Sequence, residues 1–411
     1  MQAVINEKQN VKKVSLSYLF FTFFKIGLVS FGGHMALITV VQREMVDKDE
    51  IIDNHLILDA VGLASLLPGP LAVNVVTYIG YFLKGSRGAA VSMFAILLPA
   101  CMLMLVLSCV YFTYAYNVQA KYLMYFVSGT VAAIVISTGI NLFKKEVSGN
   151  ALKIILCIIA IITQLLLKSY LVTIGLIILG GIAGILLKIN GTKHPVAHHE
   201  TLKNNFKLSL KWQSVTMLVL LLVCELSFIS NSVRLLDNIY LKIGVVFSGI
   251  SLSLFGGGYV MIPIMQSLFV SELQWLNPQE FIDAIAFSQI TPGPILVSAT
   301  FIGYKLAGIT GALLATLAIF IPSAILMIIV SSVFLKNKEQ HTLQNMLGGI
   351  KAVVIGLIIT SGFNILQQID TDLILITITL ISFILSYRYK ISPVYLILAS
   401  IVLGAITKIS L

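Results

Sequence analysis

Runs of about twenty apolar residues, parted by short polar stretches, recur along the whole chain. Each is long enough to cross roughly 30 Å of hydrocarbon at 1.5 Å per residue. The pattern predicts helical spans at 15–40, 56–83, 88–115, 121–143, 150–168 and 170–188. A polar linker at 189–213 and a lone span at 214–231 follow, then six more spans at 240–262, 279–306, 309–335, 345–366, 371–387 and 392–410. Residues 1–14 are expected to form a cytoplasmic N-terminus. Thirteen spans in this order make an all-α polytopic membrane protein.

The two groups of six are one passage written twice. Phe31-Gly32-Gly33 returns as Phe255-Gly256-Gly257, Gln42 as Gln266, Asp59 as Asp283, and Pro68-Gly69-Pro70 as Pro292-Gly293-Pro294, each pair 224 residues apart. A one-residue deletion shifts the offset to 223, and Gly80/Gly303, Gly85/Gly308, Gly88/Gly311 and Pro99/Pro322 continue the match. Duplication in an apolar chain is the mark of a secondary transporter with a binding site between its repeats. The first transporter repeat is therefore drawn at 15–188 and the second at 240–411.

Composition agrees with a membrane protein. Hydrophobic residues make up 58% of the chain and charged residues 11%, with a mean hydropathy of +0.99, whereas soluble domains carry roughly a quarter charged residues. The formal net charge of +10 does not point to nucleic acid, because the lysines and arginines sit in short loops on alternate sides, as the positive-inside rule requires. With the N-terminus cytoplasmic, Lys12, Lys13, Lys84, Arg87, Lys144, Lys145, Lys153, Lys336, Lys338, Arg388 and Lys390 all fall on that side. The acidic loops around Asp47, Asp49, Glu50 and Asp53, and around Asp370 and Asp372, fall opposite. Residues 263–278 are the exception, expected inside yet carrying Glu272 and no base. Six spans per repeat is an even number, so the extra span at 214–231 inverts the second copy and leaves the C-terminus outside. Four cysteines without metal-type spacing read as small apolar residues. His194, His198 and His199 read as a solvated linker, and no metal or cofactor is expected.

The candidate chemistry lies at the repeated helix breakers. Two prolines around a glycine interrupt a helix, and the second suits the first turn of a new one. Its free N–H groups carry partial positive charge and suit an anion. Broken or re-entrant helices are therefore expected at Pro68-Gly69-Pro70 and Pro292-Gly293-Pro294, meeting near the midplane. Gly32, Gly33, Gly256 and Gly257 mark a second break, or a close backbone approach, within the first span of each repeat. His34 beside them could bind an anion or relay a proton, with a hydrogen-bonded structural histidine as the rival reading. Asn74 and Thr77 share a helix face after Pro70; Gln289, Thr291 and Ser298 flank the second break. These neutral hydrogen-bonding groups serve either an oxyanion or helix packing. Lys25 and Lys305 could supply positive charge. Asp59, Asp283 and Glu225 are the proton-coupling candidates, with capping or ion pairing as the rival role.

Phe24-Lys25-Ile26-Gly27-Leu28-Val29-Ser30-Phe31-Gly32-Gly33, Leu67-Pro68-Gly69-Pro70 and Tyr78-Ile79-Gly80-Tyr81 resemble the chromate ion transporter family. Phe255-Gly256-Gly257-Gly258, Gln289-Ile290-Thr291-Pro292-Gly293-Pro294 and Phe301-Ile302-Gly303-Tyr304 resemble its second domain, so the whole chain matches the long, two-domain type. The resemblance implies an inner-membrane exporter of chromate, driven by the proton motive force, with sulfate as an analogue and antiparallel duplicated domains. The partners expected are that small oxyanion, the lipid bilayer and a second copy in a homodimer. An exporter of another small solute such as an amino acid, or an anion channel, remains the alternative. An enzyme is not expected, because no converging nucleophile, acid–base pair or metal set appears within the spans.

Overall fold

The computed structural model describes residues 14–31, 34–114, 118–189, 237–254, 258–334, 341–368 and 372–409. The linker, the lone span at 214–231 with Glu225, and the glycines Gly32, Gly33, Gly256 and Gly257 lie outside the described residues. Every element in the described residues is helical.

The first half comprises α1 (Leu16–Val29), α2 (His34–Gln42, continued as a π-helix over Arg43–Lys48), α3 (Asn54–Leu66), α4 (Leu71–Tyr114), α5 (Val118–Leu142), α6 (Ala151–Leu166) and α7 (Tyr170–Leu186). The second half repeats this order as α8 (Ile239–Ser253), α9 (Met261–Met265, continued as a π-helix over Gln266–Glu272), α10 (Pro278–Ile290), α11 (Ser298–Phe334), α12 (His341–Leu366), α13 (Leu373–Tyr387) and α14 (Pro393–Ile409). Short polar side chains start these helices where the sequence offers them. Asp53 accepts from the Leu56 N–H at 2.9 Å, and Asn277 forms a capping box with Glu280 ahead of Pro278.

The six apolar segments of each half stand where hydropathy puts them, but the first two in each fold back on themselves. Tyr18 at the start of α1 donates to Asp49, just past the π-turn that ends α2, and Lys25 Nζ meets Glu44 Oε2 at 3.1 Å. Pairs of this kind straddle the break after Val29, so α1 and α2 are two arms of a re-entrant hairpin. The second hairpin turns at Pro-Gly-Pro. Asp59 on α3 lies within electrostatic reach of Tyr78 on α4, and in the other half Lys305 pairs with Glu280. Each such pair is centred on the Pro-Gly-Pro tip. Arms of 13 residues in α3 and α10 reach about 20 Å, too short to cross and long enough to reach the midplane.

After each second hairpin the chain reverses again. Lys84 and Gly85 (φ +62°) leave helical geometry inside α4, as Ala307 and Gly308 (φ +60°) do inside α11. The arm at 71–83 then packs on 86–114 so closely that a side chain at Gly88 would overlap the Gly80 carbonyl. Residues 86–114 form a true crossing. Gly88 lies beside the base of the first half's hairpin, while Tyr111 donates to Asp283 at 2.7 Å and packs on Phe287 and Phe301 in the second half's hairpin. The hairpin bases of the two halves therefore stand at opposite ends of one helix, about 35 Å apart.

That geometry requires inversion, and α5 and α12 display it. Gly139 faces Ile359 and Gly362 faces Ile136, so corresponding helices cross antiparallel through equivalent residues. The last two helices of each half pack on the opposite half, α6 and α7 on α12 and α13 and α14 on α5. Their outer faces (Ile155, Ile158, Ile162, Leu380, Ile384, Leu403) are exposed and apolar, as lipid contact demands.

One expectation is corrected. Asp49 bonds to Tyr18, so the acidic stretch at 43–53 shares a face with the start of α1 and does not lie opposite it. Folding back costs one crossing in each hairpin, and the same change moves residues 266–277 off the face that holds the lysine-bearing loops. The segment that broke the charge pattern now obeys it.

Candidate functional site

The Pro-Gly-Pro turns are tight because glycine permits them. Gly69 has φ +109° and Gly293 φ +123°, a region that side chains rarely occupy. Leu67 through Pro70 are buried, as are Thr291, Pro292 and Pro294. Buried backbone amides need partners, and each glycine finds its own across the pseudo-two-fold. The Gly69 N–H donates to the Leu254 carbonyl at 2.6 Å, and the Gly293 N–H donates to the Ser30 carbonyl at 3.0 Å.

Ser30 and Leu254 are equivalent positions, the last described helical turn before each Phe-Gly-Gly break. The tip of the second hairpin in one half is thus bonded to the tip of the first hairpin in the other. Gly69 also lies against Ser323 on α11, and Gly293 against Ala100 on α4. Ala100 is midway between Gly88 and Tyr111, so the two Pro-Gly-Pro turns, with Ser30 and Leu254 bonded to them, gather halfway between the two hairpin bases.

Around these tips the polar side chains are buried, and several lack partners among the described residues. Asn74 Nδ2 donates to the Pro68 carbonyl at 3.2 Å while its Oδ1 has no partner. Ser298, its counterpart, is 1% exposed, and its Oγ has none either. Gln289 accepts from the Tyr259 hydroxyl at 3.3 Å, leaving Nε2 unpartnered. Thr77 and Thr291 bond back to their own helices, to Val73 and Ser288. His34 begins α2 directly after the first break. Proline, glycine, Asn74, Thr77, Gln289, Thr291 and Ser298 are therefore collected at or within two turns of the tips.

The charged candidates stand elsewhere. Lys25 and Lys48 both bond Glu44, whose carboxyl they hold below its ordinary range, at the base of the first hairpin. Lys305 pairs with Glu280 at the base of the other. Asp283 is 1% exposed and receives hydrogen bonds from Tyr111 and, at 2.9 Å, from Gln279. Asp59 is half-buried beside Tyr78.

Tyr259 was not among the residues singled out from sequence. Its partner position in the first half is Met35, so duplication, the signal that exposed the other residues, is silent there. Among the described residues no group of three or more histidine, cysteine or acidic side chains could hold a metal.

Comparison with known proteins agrees with this duplicated architecture. The profile of the family described as Chromate transporter matches twice, over residues 17–185 and 241–405. An uncharacterized transporter of Methanocaldococcus jannaschii is 28% identical over 405 residues, covering 97% of this chain and 95% of its own. A chromate transport protein of Cupriavidus metallidurans is 25% identical over 396 residues, covering 95% and 93%. The uncharacterized transporter YwrA of Bacillus subtilis is 28% identical over 160 residues, which is 88% of its length but 37% of this one. No solved structure matches.

Proposed function

Because the chain belongs to the chromate transporter family, we propose that it is a secondary active transporter of a divalent tetrahedral oxyanion, exporting chromate, with sulfate as an analogue. The observation that carries this reading is the reciprocal pair of bonds, Gly69 to Leu254 and Gly293 to Ser30. It gathers the two Pro-Gly-Pro turns, with Ser30 and Leu254 bonded to them, from two inverted halves at one depth, the arrangement that builds a midplane anion site in inverted-repeat transporters.

Helix N-termini after Pro70 and Pro294 supply aligned N–H groups, and the buried amide and hydroxyl groups beside them supply further donors. Substrate contact is assigned to the tip residues: Pro68, Gly69, Pro70, Asn74 and Thr77 in the first half, and Gln289, Thr291, Pro292, Gly293, Pro294 and Ser298 in the second. His34, Gly32, Gly33, Gly256 and Gly257 at the other breaks complete the set. Lys25 and Lys305, at the hairpin bases, add positive potential at the two entrances.

Alternating access follows from rocking one half against the other about the tips. The proton motive force drives export, with Asp283, Asp59 and Glu225 as the carriers to test. Asp283 is the most enclosed of those described, its carboxylate held by a tyrosine from the opposite half. The protein resides in the bacterial inner membrane, N-terminus cytoplasmic and C-terminus outside, and a homodimer is compatible with its apolar rim. Uptake of labelled chromate, sulfate and amino acids into inverted vesicles, with and without a proton gradient, tests the proposal. Gradient-dependent accumulation of the two oxyanions is expected; amino-acid uptake alone would refute it.

A further inference from the structure

The two halves share a fold, but the hydrogen-bonding character of their tips differs. An oxyanion offers only acceptor oxygens, so its site must offer donors. Gln289 and Ser298 flank the second Pro-Gly-Pro, three residues before Pro292 and four after Pro294. Gln289 is 7% exposed and Ser298 1%. Burying an amide or hydroxyl donor without an acceptor costs about 1–3 kcal/mol, so such groups are kept where they have a use.

The Gln289 amide is also oriented. The Tyr259 hydroxyl donates to its Oε1 at 3.3 Å, and Thr138 of the opposite half lies close to that hydroxyl. With the oxygen end occupied, Nε2 is the end left over.

The first half lacks the hydroxyl-anchored glutamine of this device. Met35 replaces Tyr259, and Ser65 replaces Gln289 and bonds back to the Gly62 carbonyl of its own helix at 2.7 Å. Asn74 replaces Ser298; one N–H of its amide is committed to the Pro68 carbonyl, and the atom left without a partner is an acceptor, Oδ1, rather than a donor.

We infer that the second half supplies the side-chain donors that bind the oxyanion, Gln289 Nε2 and Ser298 Oγ, while the first half contributes backbone N–H groups and packing contacts. Tyr259 and Thr138 act as positioning residues, and the first Pro-Gly-Pro serves as the opposing wall. This rests on the oxyanion-transport reading above, and it makes the symmetric fold one-sided in its side-chain donors.

The test is chromate and sulfate uptake by inverted vesicles, with KM and kcat measured separately, for Gln289→Met, Ser298→Ala, Tyr259→Phe and Ser65→Ala. Losing a donor to a charged ligand weakens binding about tenfold or more. Gln289→Met and Ser298→Ala should each raise KM by that factor with kcat little changed. Tyr259→Phe frees the amide to turn and raises KM about threefold. Ser65→Ala leaves both constants unaltered. If Gln289→Met fails to insert, Tyr259→Phe, which removes a single oxygen, carries the test.

Unchanged KM in Gln289→Met and Ser298→Ala, or an equal rise in Ser65→Ala, overturns the inference while wild-type uptake leaves the transport reading intact. A wild-type protein inert towards every anion overturns both.

Discussion

Substituting alanine for glycine at the two Pro-Gly-Pro turns should have unequal consequences, and the inequality can be worked out from the structure. Both glycines hold positive φ, +109° at Gly69 and +123° at Gly293, where a Cβ costs on the order of 1–2 kcal/mol. At Gly69 the new methyl would also overlap the Ser323 side chain, lying 2.6 Å from its Oγ. Overpacking of that kind adds about 1–3 kcal/mol, giving roughly 2–5 kcal/mol in all. At Gly293 the nearest atom is Ala100 Cβ at 3.0 Å, which a small shift relieves, so about 1–2 kcal/mol is expected. Displacement at position 69 also stretches the 2.6 Å bond to Leu254. Purified Gly69→Ala should therefore melt well below Gly293→Ala and lose more transport. Adding Ser323→Gly to Gly69→Ala should recover the packing share of the loss but not the backbone share. Equal melting temperatures for the two alanine variants, or no recovery from Ser323→Gly, would refute the reciprocal tip geometry.

Other consequences follow from the same contacts. In a background free of native cysteines, Asp49→Cys and Lys84→Cys should label from one side of the membrane, and Glu280→Cys and Lys305→Cys from the other; labelling of Asp49→Cys opposite Lys84→Cys would remove the first hairpin. Lys25→Met and Lys305→Met should raise KM by only about two- to threefold, an effect erased by high salt, since exposed ion pairs are worth little and act through a screened field. A large, salt-independent loss would instead mean direct contact with substrate. Gly139→Leu and Gly362→Leu should damage stability equally, because each meets an isoleucine at the same crossing, at 2.6 and 2.5 Å; a marked difference in melting would break the two-fold relation of α5 and α12. Tyr111→Phe leaves a buried carboxylate one donor short, at a cost of about 1–3 kcal/mol, and should weaken the dependence of uptake on the proton gradient. Unaltered gradient dependence would take Asp283 out of the coupling.

Duplication made the architecture legible because helix breakers are costly in hydrocarbon and appear at matching places only for a shared reason. Pro68-Gly69-Pro70 and its copy thereby located the tips, and the apolar runs located the helices. What hydropathy could not separate was two short arms joined at a tip from one long crossing. Residues 56–83 read as a single span because α3 and the arm at 71–83 are both apolar. Two signals nonetheless pointed to a fold-back. Thirteen-residue arms laid end to end reach nearly 40 Å, more than the hydrocarbon needs. The second was the segment at 263–278, which alone broke the positive-inside pattern. A topology rule enforced by insertion seldom fails in one loop of an otherwise regular chain. The physical reading of such an exception is a missing or extra crossing next to it, and re-entrant hairpins on either side of Glu272 supply that. Orientation of the Gln289 amide lay beyond the sequence for a different reason. It depends on a hydroxyl from a hairpin and a threonine from the opposite half, joined only by the fold.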